Sequence, residues 1–435
     1  MTVLQTALVL LNEYELNAKY ANLSLQSHIT DSLDSQKRGQ LTALYYAAVE
    51  RKLTYDYYIS YLAGRQISKI DLETKNILRL GLCMLLDMDS IPDYAAVNEA
   101  VGLVRQRSAR GFVNGVLRRA VREKDALPLP NRERNLARYL SVKYSVSVSI
   151  VKRYIEIFGE EESERLLTHS NEKKGLSVAV NTLKISVDDY VKLLAEQNIK
   201  AEKSRYSKIS LLLDKSYNPK NLPGFSEGFF FVQDEACSSA VELLEISDGD
   251  LVADVCAAPG GKSFAAAVLS HDGAKIHSFD ISEAKLPLIA EGAERLGLRG
   301  ISSEVFDAAE NKEELLGRCD KVICDVPCSG LGVLSKKPDL RYKDISDLSP
   351  LYQLQEKIIK SASKYLRSGG VMLYSTCTLN DMENRAVVDK FLSENADFRA
   401  VDFKVGNERT DRGTFTFLPH IHHTDGFFVA KLKKL

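Results

Sequence analysis

The second half of the chain constrains its fold most, because strand-like and helix-like segments alternate from Phe229 to the last residue. This alternation is typical of an α/β domain with a central sheet. The predicted strands are Leu251–Val255, Lys275–Phe279, Lys321–Cys324 and Val371–Ser375. The predicted helices are Ser263–Leu269, Glu283–Leu296 and Tyr352–Leu366. Ligands of such sheets bind at the carboxyl ends of the strands, so residues that follow the strands are the first candidates for a site.

The first half of the chain follows a different pattern, because helical spacing dominates up to about residue 125 and no strand-like alternation occurs there. Apolar residues on one helical face are separated by three or four positions. One such set is Leu41, Leu44, Tyr45, Ala48 and Val49. The stretch 77–86 is almost wholly apolar, which predicts a central, buried helix. The N-terminal part is therefore predicted to be an all-α domain.

A linker and a small module separate these two halves. The two prolines of Leu127–Pro130 prevent a helix from continuing, so we predict a linker over residues 127–145, and the pattern becomes helical again from residue 131 to about 170. Strands are then predicted at Ser177–Asn181 and Ser210–Leu213, with a helix at Val187–Gln197 between them. The chain is thus expected to be multidomain. The expected domains are an all-α domain at 1–126, an α+β module at 146–228 and an α/β Rossmann-like domain at 229–435.

Charge is balanced over the whole chain, with a formal net charge of −1, so any nucleic-acid surface must be local. The strongest asymmetry lies in residues 100–122, which contain six arginines and neither Asp nor Glu. These arginines are Arg105, Arg107, Arg110, Arg118, Arg119 and Arg122. A solvated helical face is the simpler explanation of such a run. A face that contacts the phosphates of RNA is the functional one.

Cysteine content and the N-terminus bear on the compartment and on metals. Seven cysteines occur at irregular spacing, unlike a secreted disulfide framework, so a reducing cytoplasm is expected. Cys324 and Cys328 have the spacing of a metal pair, but no second pair completes four ligands, and no metal is expected. The chain shows neither a basic leader nor an apolar run of membrane-spanning length. We therefore expect a cytoplasmic monomer without a membrane partner.

The loop after the first predicted strand of the α/β domain has the features of a nucleotide-cofactor site. Its residues are Cys256, Ala257, Ala258, Pro259, Gly260, Gly261 and Lys262. Glycines let a ligand approach the backbone, and Asp280, which follows the next strand, is placed to accept hydrogen bonds from ribose hydroxyls. The loop matches neither G-x-G-x-x-G nor the P-loop. S-adenosylmethionine, which has no phosphates, fits it better, although a purely structural turn also explains the glycines.

Two further motifs follow predicted strands, and each contains a cysteine: Asp325-Val326-Pro327-Cys328 and Ser375-Thr376-Cys377. Carbon 5 of cytosine is a poor nucleophile, and a thiolate that adds to carbon 6 activates it for methylation, which is covalent catalysis. Asp325 is placed to protonate or hydrogen-bond ring atom N3. Most other cysteines are interpreted as small buried hydrophobes. The motifs predict cytosine carbon-5 methylation, and by chemistry alone either Cys328 or Cys377 can be the nucleophile.

These motifs resemble those of the RsmB/NOP2/Sun family of RNA 5-methylcytosine methyltransferases, and the similarity covers nearly the whole chain. Further similar segments are Phe231–Ala236, Cys328–Val333, Lys337–Asp339, Pro419–His420 and Asp425–Phe428. Residues 1–125, with Ile91–Ala100 and Gly111–Asn114, are similar to a NusB-like helical domain. That fusion is typical of the bacterial Sun/RsmB branch, which methylates one cytosine of 16S rRNA. The resemblance thus implies an rRNA (cytosine-C5) methyltransferase that uses S-adenosylmethionine.

The resemblance also implies roles for single residues. Cys377 matches the family's nucleophile, and Cys328 matches the cysteine that helps to release the methylated product. Asp280 matches the ribose contact, Asp307 the adenine contact, and Asp325 the acid near the cytosine ring. The positions that match cofactor contacts are Cys256–Lys262, Asp280, Asp307 and Asp325. The NusB-like domain implies that the arginine-rich stretch belongs to an RNA-binding domain.

Two positions depart from the family pattern. Ala179 stands where the family usually has Arg before Val-Asn, so one RNA contact is expected to be missing. Asp381–Arg385 differs from the common Pro-Glu-Glu-Asn-Glu, although Glu383 and Asn384 are retained. These departures bear on RNA binding rather than on the chemistry.

Two other functions remain open from the sequence. One is an rRNA-binding assembly factor with little catalysis, which the NusB-like domain favours and the intact Cys328, Cys377 and Asp325 oppose. The other is an amino-group methyltransferase. Such enzymes hold the amine with a Pro-Pro-aromatic motif, and this chain has Asp325–Cys328 at that place.

Overall fold

The computed structural model describes residues 1–17, 21, 25, 28, 34–172, 174–410 and 412–435. Residue contacts divide them into two compact units. The helical unit comprises 1–168 and 336–345, and the sheet unit comprises 169–335 and 346–435. The part of the all-helical prediction at 18–20, 22–24, 26–27 and 29–33 lies outside the described residues. No helix in the described part of the chain has the length and apolar character needed to cross a membrane.

The helical unit is built around one buried helix, α4. The helices are α1 (Val3–Asn17), α2 (Ser35–Glu50), α3 (Lys52–Ala63), α4 (Leu72–Leu86), α5 (Asp93–Leu103), α6 (Arg107–Glu123), α7 (Leu136–Tyr144) and α8 (Val148–Ser170). Helix α4 contacts α1, α2, α3, α5 and α6. All residues from Asn76 to Leu85 are buried, as the apolar stretch predicts. Gly81 permits close packing, because a Cβ there would lie 2.7 Å from a methyl carbon of Leu117.

Charged side chains are also buried in the helical unit. Arg79, which is 3% exposed, donates to the two carboxylate oxygens of Asp56 at 2.6 and 2.7 Å and to Glu15 at 2.8 Å. Lys52 binds Glu15 as well, at 2.7 Å. Burial alone would raise the pKa of Glu15, but these two cations hold it below its ordinary value. Ion pairs therefore join α1, α3 and α4.

The stretch 127–145, predicted as a linker, contains helix α7. Ala137, Leu140 and Val142 of α7 are buried. Asn135 starts the helix, because its side-chain oxygen accepts the backbone N–H of Arg138 at 2.9 Å. The two prolines lie in the non-helical stretch 127–130 between α6 and α7, and α7 agrees with the helical pattern predicted from residue 131 onward. Contacts also place α8 up to Thr168 in the helical unit, whereas the sequence places it in the small module.

The segment Lys336–Ile345 belongs to the helical unit, although the sequence places it in the domain 229–435. Tyr342 donates to the carbonyl of Glu50 at 2.9 Å, and the carbonyl of Arg341 accepts from Ser147 at 2.7 Å. Asp339 accepts the backbone N–H of Ala21 at 2.7 Å. These long-range hydrogen bonds are not visible as a local pattern, which is why the sequence does not reveal them.

The sheet unit begins with a small antiparallel sheet of order β2-β3-β1-β4. Its strands are β1 (Ser177–Val180), β2 (Ala201–Lys203), β3 (Ser210–Leu213) and β4 (Phe230–Val232), with helix α9 (Val187–Glu196) between β1 and β2. Side chains alternate between the faces of a strand. Val178 and Val180 pack with α9 residues, whereas Ala179 packs on the other side with helix α10 (Glu235–Glu242). Ala179 is fully buried, so a side chain at this position faces the core.

The large sheet has the order β10-β14-β9-β8-β5-β6-β7, with β13 paired to β14. Its strands are β5 (Leu251–Asp254), β6 (Lys275–Asp280), β7 (Ile301–Val305), β8 (Cys319–Asp325), β9 (Leu366–Thr376), β10 (Phe398–Ala400), β13 (Thr414–Phe417) and β14 (Phe427–Lys434). A separate pair is β11 (Lys404–Val405) and β12 (Glu408–Arg409). Strands β7, β6, β5, β8 and β9 are parallel, and β14 is antiparallel to β9. The α/β prediction is confirmed.

The further helices of this domain are α11 (Gly261–Leu269), α12 (Leu286–Leu296), α13 (Ser349–Ser363), α14 (Arg385–Glu394) and α15 (Pro419–His422). Three of them, α11, α12 and α13, match their predictions except at their ends, and α14 and α15 were not predicted. Leu366, predicted to end a helix, instead begins β9. Its backbone pairs with Cys319 of β8, and the tertiary pairing decides its conformation.

Candidate active site

The strand order places the three sequence motifs at one edge of the large sheet. Strands β5, β8 and β9 are adjacent and parallel, so their carboxyl ends meet. Strand β5 ends at Asp254, β8 at Asp325 and β9 at Thr376. The cofactor loop and the two cysteine motifs therefore follow neighbouring strands. Ligands of open α/β sheets bind at this edge.

The two candidate cysteines are in contact. Sγ of Cys328 lies 3.2 Å from Sγ of Cys377, although 49 residues separate them in the chain. Both side chains are partly exposed, so a substrate can reach them. The hydrogen bond to Cys377, together with burial, raises the pKa of the Cys328 thiol well above its ordinary value. Burial and this contact therefore favour a protonated Cys328, and either sulfur can be the donor in the contact.

Asp325 connects the cysteine motifs to the cofactor loop. Its Oδ2 lies 2.6 Å from Nζ of Lys262, and its Oδ1 accepts from the hydroxyl of Ser375 at 2.7 Å. Nζ of Lys262 also lies 5.4 Å from the ring centre of Phe427. Burial alone would lower the pKa of Lys262, but its attraction to Asp325 raises it above the ordinary value. Lys262 is therefore a firmly held cation at the base of the site.

Ser375 and Phe427 are site residues that the sequence interpretation did not assign. Ser375 precedes Cys377 by two positions, and a strand period of two places both on the same side of β9. That signal was present in the sequence. Phe427 lies on β14, and only the pairing of β14 with β9 brings it to this edge.

The cofactor loop is shaped so that a ligand can approach its backbone. Gly260 has a φ of 107°, which side-chain-bearing residues rarely adopt, and a Cβ there would lie 2.5 Å from a ring carbon of Phe264. The N–H of Ala257 donates to the carbonyl of Phe279 at 2.7 Å, which ties the loop to β6. Burial raises the pKa of the Cys256 thiol above its ordinary value. Cys256 is therefore a neutral thiol, and its backbone is the part available to a ligand.

Asp280 is the last residue of β6 and Asp307 follows β7, and both strands lie on the side of the sheet next to the loop. Asp280 accepts the N–H of Ala258 at 3.1 Å and that of Ser282 at 2.9 Å. A carboxylate has about four lone-pair sites, so Asp280 can accept further hydrogen bonds from a ribose. Asp307 is exposed and accepts the N–H of Ala309 at 2.9 Å. A glycine-lined loop with two acids beside it fits a nucleoside without phosphates, such as S-adenosylmethionine.

Asp254, at the end of β5, is a buried acid that the sequence interpretation did not assign. It accepts a hydrogen bond from Ser263 at 2.6 Å, while its other oxygen has no hydrogen-bond partner. Burial raises its pKa to about 7. Asp254 therefore titrates close to neutral pH directly beneath the cofactor loop.

Four of the six arginines line the exposed face of α6 in the helical unit. Arg107, Arg110, Arg118 and Arg122 are exposed on this helix, and Arg105 is exposed just before it. Arg119 is different, because it binds Glu123 at 2.7 Å and the carbonyl of Leu62 at 3.0 Å. The guanidinium of Arg119 is bound by other groups of the protein. The arginine-rich stretch therefore contains five exposed arginines and one that packs against the helical unit.

In the part of the chain that the structure describes, no group of three or more His, Cys, Asp or Glu side chains is arranged to hold a metal ion. The expectation of a metal-free site stays a prediction.

Three protein-family models match the chain, and together they follow its architecture. The model described as 16S rRNA methyltransferase RsmB/F matches residues 241–433. The NusB family model matches residues 1–122. A model for the ferredoxin-like domain of RsmF/B-like methyltransferases matches residues 149–219, which include β1, α9 and β3.

Individual proteins are similar over the whole chain. The probable ribosomal RNA small subunit methyltransferase B of Synechocystis sp. is 33% identical, and the similarity extends over 99% of this chain and 99% of its own. The protein of the same name from Bacillus subtilis is 32% identical, over 100% of this chain and 99% of its own. The crystal structure of PH0851 covers 100% of this chain and 99% of its own, with a TM-score of 0.81 and 26% identity. A methyltransferase homologue from Pyrococcus horikoshii covers 68% of this chain and 98% of its own, with a TM-score of 0.60 and 27% identity.

Proposed function

The chain belongs to the 16S rRNA methyltransferase RsmB/F family, and on this premise we propose that it methylates carbon 5 of a cytosine in 16S rRNA through a covalent cysteine–cytosine intermediate. One observation carries the proposal. Two thiols lie 3.2 Å apart beside Asp325, at the sheet edge that also carries the cofactor loop. A transfer of methyl to an amino group or an oxygen has no use for a thiol pair in this position.

Cys377 is the nucleophile of this reaction. Its sulfur forms a bond to carbon 6 of the ring, which places electron density on carbon 5. S-adenosylmethionine supplies the electrophilic methyl group that carbon 5 accepts. A base then removes the carbon-5 proton, the electrons of that carbon–hydrogen bond re-form the carbon 5–carbon 6 double bond, and the sulfur–carbon 6 bond breaks to return Cys377 as a thiolate. Cys328, whose sulfur touches that of Cys377, assists this release.

Asp325 binds the ring, and Lys262 holds Asp325 in place. Nζ of Lys262 lies 2.6 Å from the carboxylate and keeps its proton, so Asp325 is fixed where it can hydrogen-bond N3 of the cytosine. Ser375 keeps the other carboxylate oxygen in place. This arrangement stabilises the negative charge that develops on the ring when Cys377 adds to it.

S-adenosylmethionine would be held by Cys256–Lys262 through the loop backbone, by Asp280 at the ribose and by Asp307 at the adenine. Gly260 and Gly261 leave room for the ligand. Asp325 lies at the methionine end, next to the cysteines.

The exposed face of α6 is the proposed rRNA contact of the helical unit. Two glycines, Gly111 and Gly115, lie between the arginines on this helix, and a Cβ at either would meet nothing within 4 Å. Glycine within a helix costs about 0.5–1 kcal/mol relative to alanine, so packing inside the protein does not explain them. Small residues among outward-facing arginines allow a phosphate backbone to approach the helix closely.

The first experiment uses rRNA and methyl-labelled S-adenosylmethionine, followed by a denaturing gel. Wild type is expected to label RNA, Cys377→Ala to give no label, and Cys328→Ala to give a trapped protein–RNA band. The reverse pattern would exchange the roles of the two cysteines. Full labelling by both variants would exclude covalent catalysis and favour an amino-group methyltransferase. Absence of labelling and of cofactor binding by calorimetry in wild type would favour an rRNA-binding assembly factor.

A second experiment tests the RNA face. Reversing charge at Arg118 and Arg122 (Arg118→Glu, Arg122→Glu) should weaken RNA binding and reduce the slope of log affinity against log salt by about 2. Arg165→Glu is the control, because Arg165 is exposed on α8 and binds Glu161 instead. Equal loss in the control and the double variant would contradict a specific face on α6.

A further inference from the structure

A buried carboxylate lies between the two cysteine loops. Glu383, just before α14, has no exposed surface. Its Oε2 accepts the backbone N–H of Ser329 at 2.7 Å and the amide of Gln355 at 3.1 Å. Its Oε1 accepts the hydroxyl of Ser329 at 2.5 Å and the amide of Asn380 at 2.9 Å. One side chain thus fills its hydrogen-bonding capacity with groups from three segments of the chain.

These donors are the immediate neighbours of the two thiols. Ser329 directly follows Cys328, and its hydroxyl also contacts that of Thr378 at 2.7 Å. Thr378 in turn directly follows Cys377, and Asn380 lies on the same loop. Glu383 therefore holds both cysteine loops from their C-terminal sides.

Residues of helix α13 and strand β9 also hydrogen-bond Glu383, one at its carboxylate and one at its backbone. The amide of Gln355 on α13 donates to Glu383. It also donates, at 2.9 Å, to the backbone carbonyl of Pro327, the residue before Cys328. Tyr374 of β9 donates to the backbone carbonyl of Glu383 at 2.7 Å. The position of Glu383 is thus fixed by rigid elements, as a residue that orients others requires.

The hydrogen-bond donors of Glu383 are all neutral. A buried carboxylate without a cation is costly, and hydrophobic or amide side chains would fill the space more cheaply. The cost of burying Glu383 therefore indicates a role for its charge and for the hydrogen bonds that its two oxygens accept from the cysteine loops.

We propose that Glu383 is a positioning residue that sets the separation and orientation of the Cys328 and Cys377 thiols. This inference rests on the proposed function, because it explains how the thiol pair is kept ready for addition and release. Glu383 touches neither sulfur and acts through the backbone and hydroxyl of Ser329 and through the loop that carries Thr378 and Asn380.

The charge of Glu383 has a second consequence for Cys328. The hydrogen bond to Cys377 and burial are the larger causes of the raised Cys328 pKa, and the charges of Cys377, Glu383 and Asp325 add to them. Lys262 faces the same cluster but is bound to Asp325. The charge of Glu383 thus adds to the hydrogen bond and the burial that favour the protonated form of Cys328.

A cross-linking rate tests the positioning without RNA or cofactor. Diamide removes two hydrogen atoms from a pair of thiols, forms a disulfide and is itself reduced to the hydrazine. The sulfurs must move from 3.2 Å to about 2.05 Å for this bond. The rate of the Cys328–Cys377 cross-link, followed by peptide mass spectrometry, therefore reports how well the loops are held. Cys377→Ala defines the background.

Glu383→Ala is expected to slow the cross-link by about tenfold or more, and Glu383→Gln to slow it less, since one oxygen remains. Glu242→Gln is the matched control. Glu242 also accepts a serine hydroxyl and a backbone N–H, both at 2.7 Å, but in the loop after β2. Cross-linking at the wild-type rate in both Glu383 variants would overturn the proposal. If Glu383→Ala does not fold, Glu383→Gln decides the result alone.

Methyl transfer provides a separate readout. Displacing reacting groups by about 1 Å costs about 100-fold in rate, so kcat of Glu383→Ala should fall by about that factor while KM for RNA changes by less than about twofold. A raised KM with an unchanged kcat would contradict positioning and indicate a role in RNA binding. Wild-type inactivity would remove the proposed function, but a slowed cross-link would still establish that Glu383 positions the thiols.

Discussion

The helical unit holds partly buried carboxylates and the sheet unit holds fully buried ones, and the two units balance these charges differently. In the helical unit, Asp56 and Glu15 face Arg79, and Glu15 also faces Lys52. In the sheet unit, Glu383 is bound by neutral donors, and one oxygen of Asp254 has no partner. Between these extremes, Asp325 is paired with Lys262 but remains partly exposed.

This difference separates groups that hold the fold from groups that serve the site. Ion pairs with both partners satisfied link helices and need no ligand. Carboxylates that are buried without a cation, or that titrate near neutral pH, collect where chemistry occurs. The comparison therefore predicts that substitutions in the Arg79 ion-pair cluster of the helical unit reduce stability. Substitutions among the carboxylates of the sheet unit are predicted to reduce catalysis or to change the pH dependence of the protein.

The largest expected effect breaks the helical cluster. Arg79→Met leaves Asp56 and Glu15 without their shared cation, which should lower the free energy of unfolding by about 3–5 kcal/mol. Denaturant unfolding measures this change. Arg165→Met, which removes exposed pairs with Glu161 and Glu162, should change stability by less than about 1 kcal/mol. Similar losses in both variants would show that burial of the Arg79 cluster is not the cause.

The next effect concerns the ion pair at the site. Lys262→Met should lower kcat by about 100-fold, because Asp325 loses the cation that holds its carboxylate in place, while stability falls little since Asp325 is partly exposed. Steady-state methyl transfer and thermal unfolding check the two parts. Lys431→Met, which removes a pair with Glu245 at the rim of the same sheet, is the control and should keep wild-type kcat. A large loss of stability without a loss of kcat would assign Lys262 to the fold.

Asp254 sharpens the comparison through pH. Burial raises its pKa from 3.8 to about 7, so the folded state binds the proton more tightly than the unfolded state. Its stabilising contribution is complete below pH 3.8 and is lost as pH rises to about 7. Asp254→Asn should therefore flatten the fall in unfolding free energy over this range. Asp320→Asn should act in the opposite sense, because its hydrogen bonds and Arg367 outweigh burial and lower the pKa of Asp320.

The smallest effect tests the exposed face of α6. Gly115→Ala should raise the free energy of unfolding by about 0.5–1 kcal/mol and yet weaken RNA binding, since the added methyl projects from the proposed contact face. Gly39→Ala in α2 is the matched control, because a Cβ there also meets nothing within 4 Å. It should stabilise equally without changing RNA affinity. Unchanged RNA affinity in Gly115→Ala would count against this face.

Local patterns in the sequence were sufficient for most of the secondary structure. Ser210–Leu213 is a strand with the predicted bounds, and α9 ends one residue before its predicted end. The apolar stretch of α4 and the strand-end motifs were equally clear, because periodicity and turn residues act over a few positions. Helix α7 lies within the stretch from 131 to about 170 that the sequence predicts to be helical, whereas β7 was missed because none of its residues is fully buried.

The sequence alone determined the α/β class, the positions of the cofactor loop and the cysteine motifs after strands, and the family to which they are similar. Tertiary structure decided which side chains meet. The pairing of β8 with β9 brings Cys328 and Cys377 to 3.2 Å, and the packing of α13 and β9 places Glu383 between their loops. Arg119 is likewise removed from the outward-facing arginines by Glu123 and a distant carbonyl. The reason is physical: hydrogen bonds and burial depend on distance in space, whereas periodicity reports only distance along the chain.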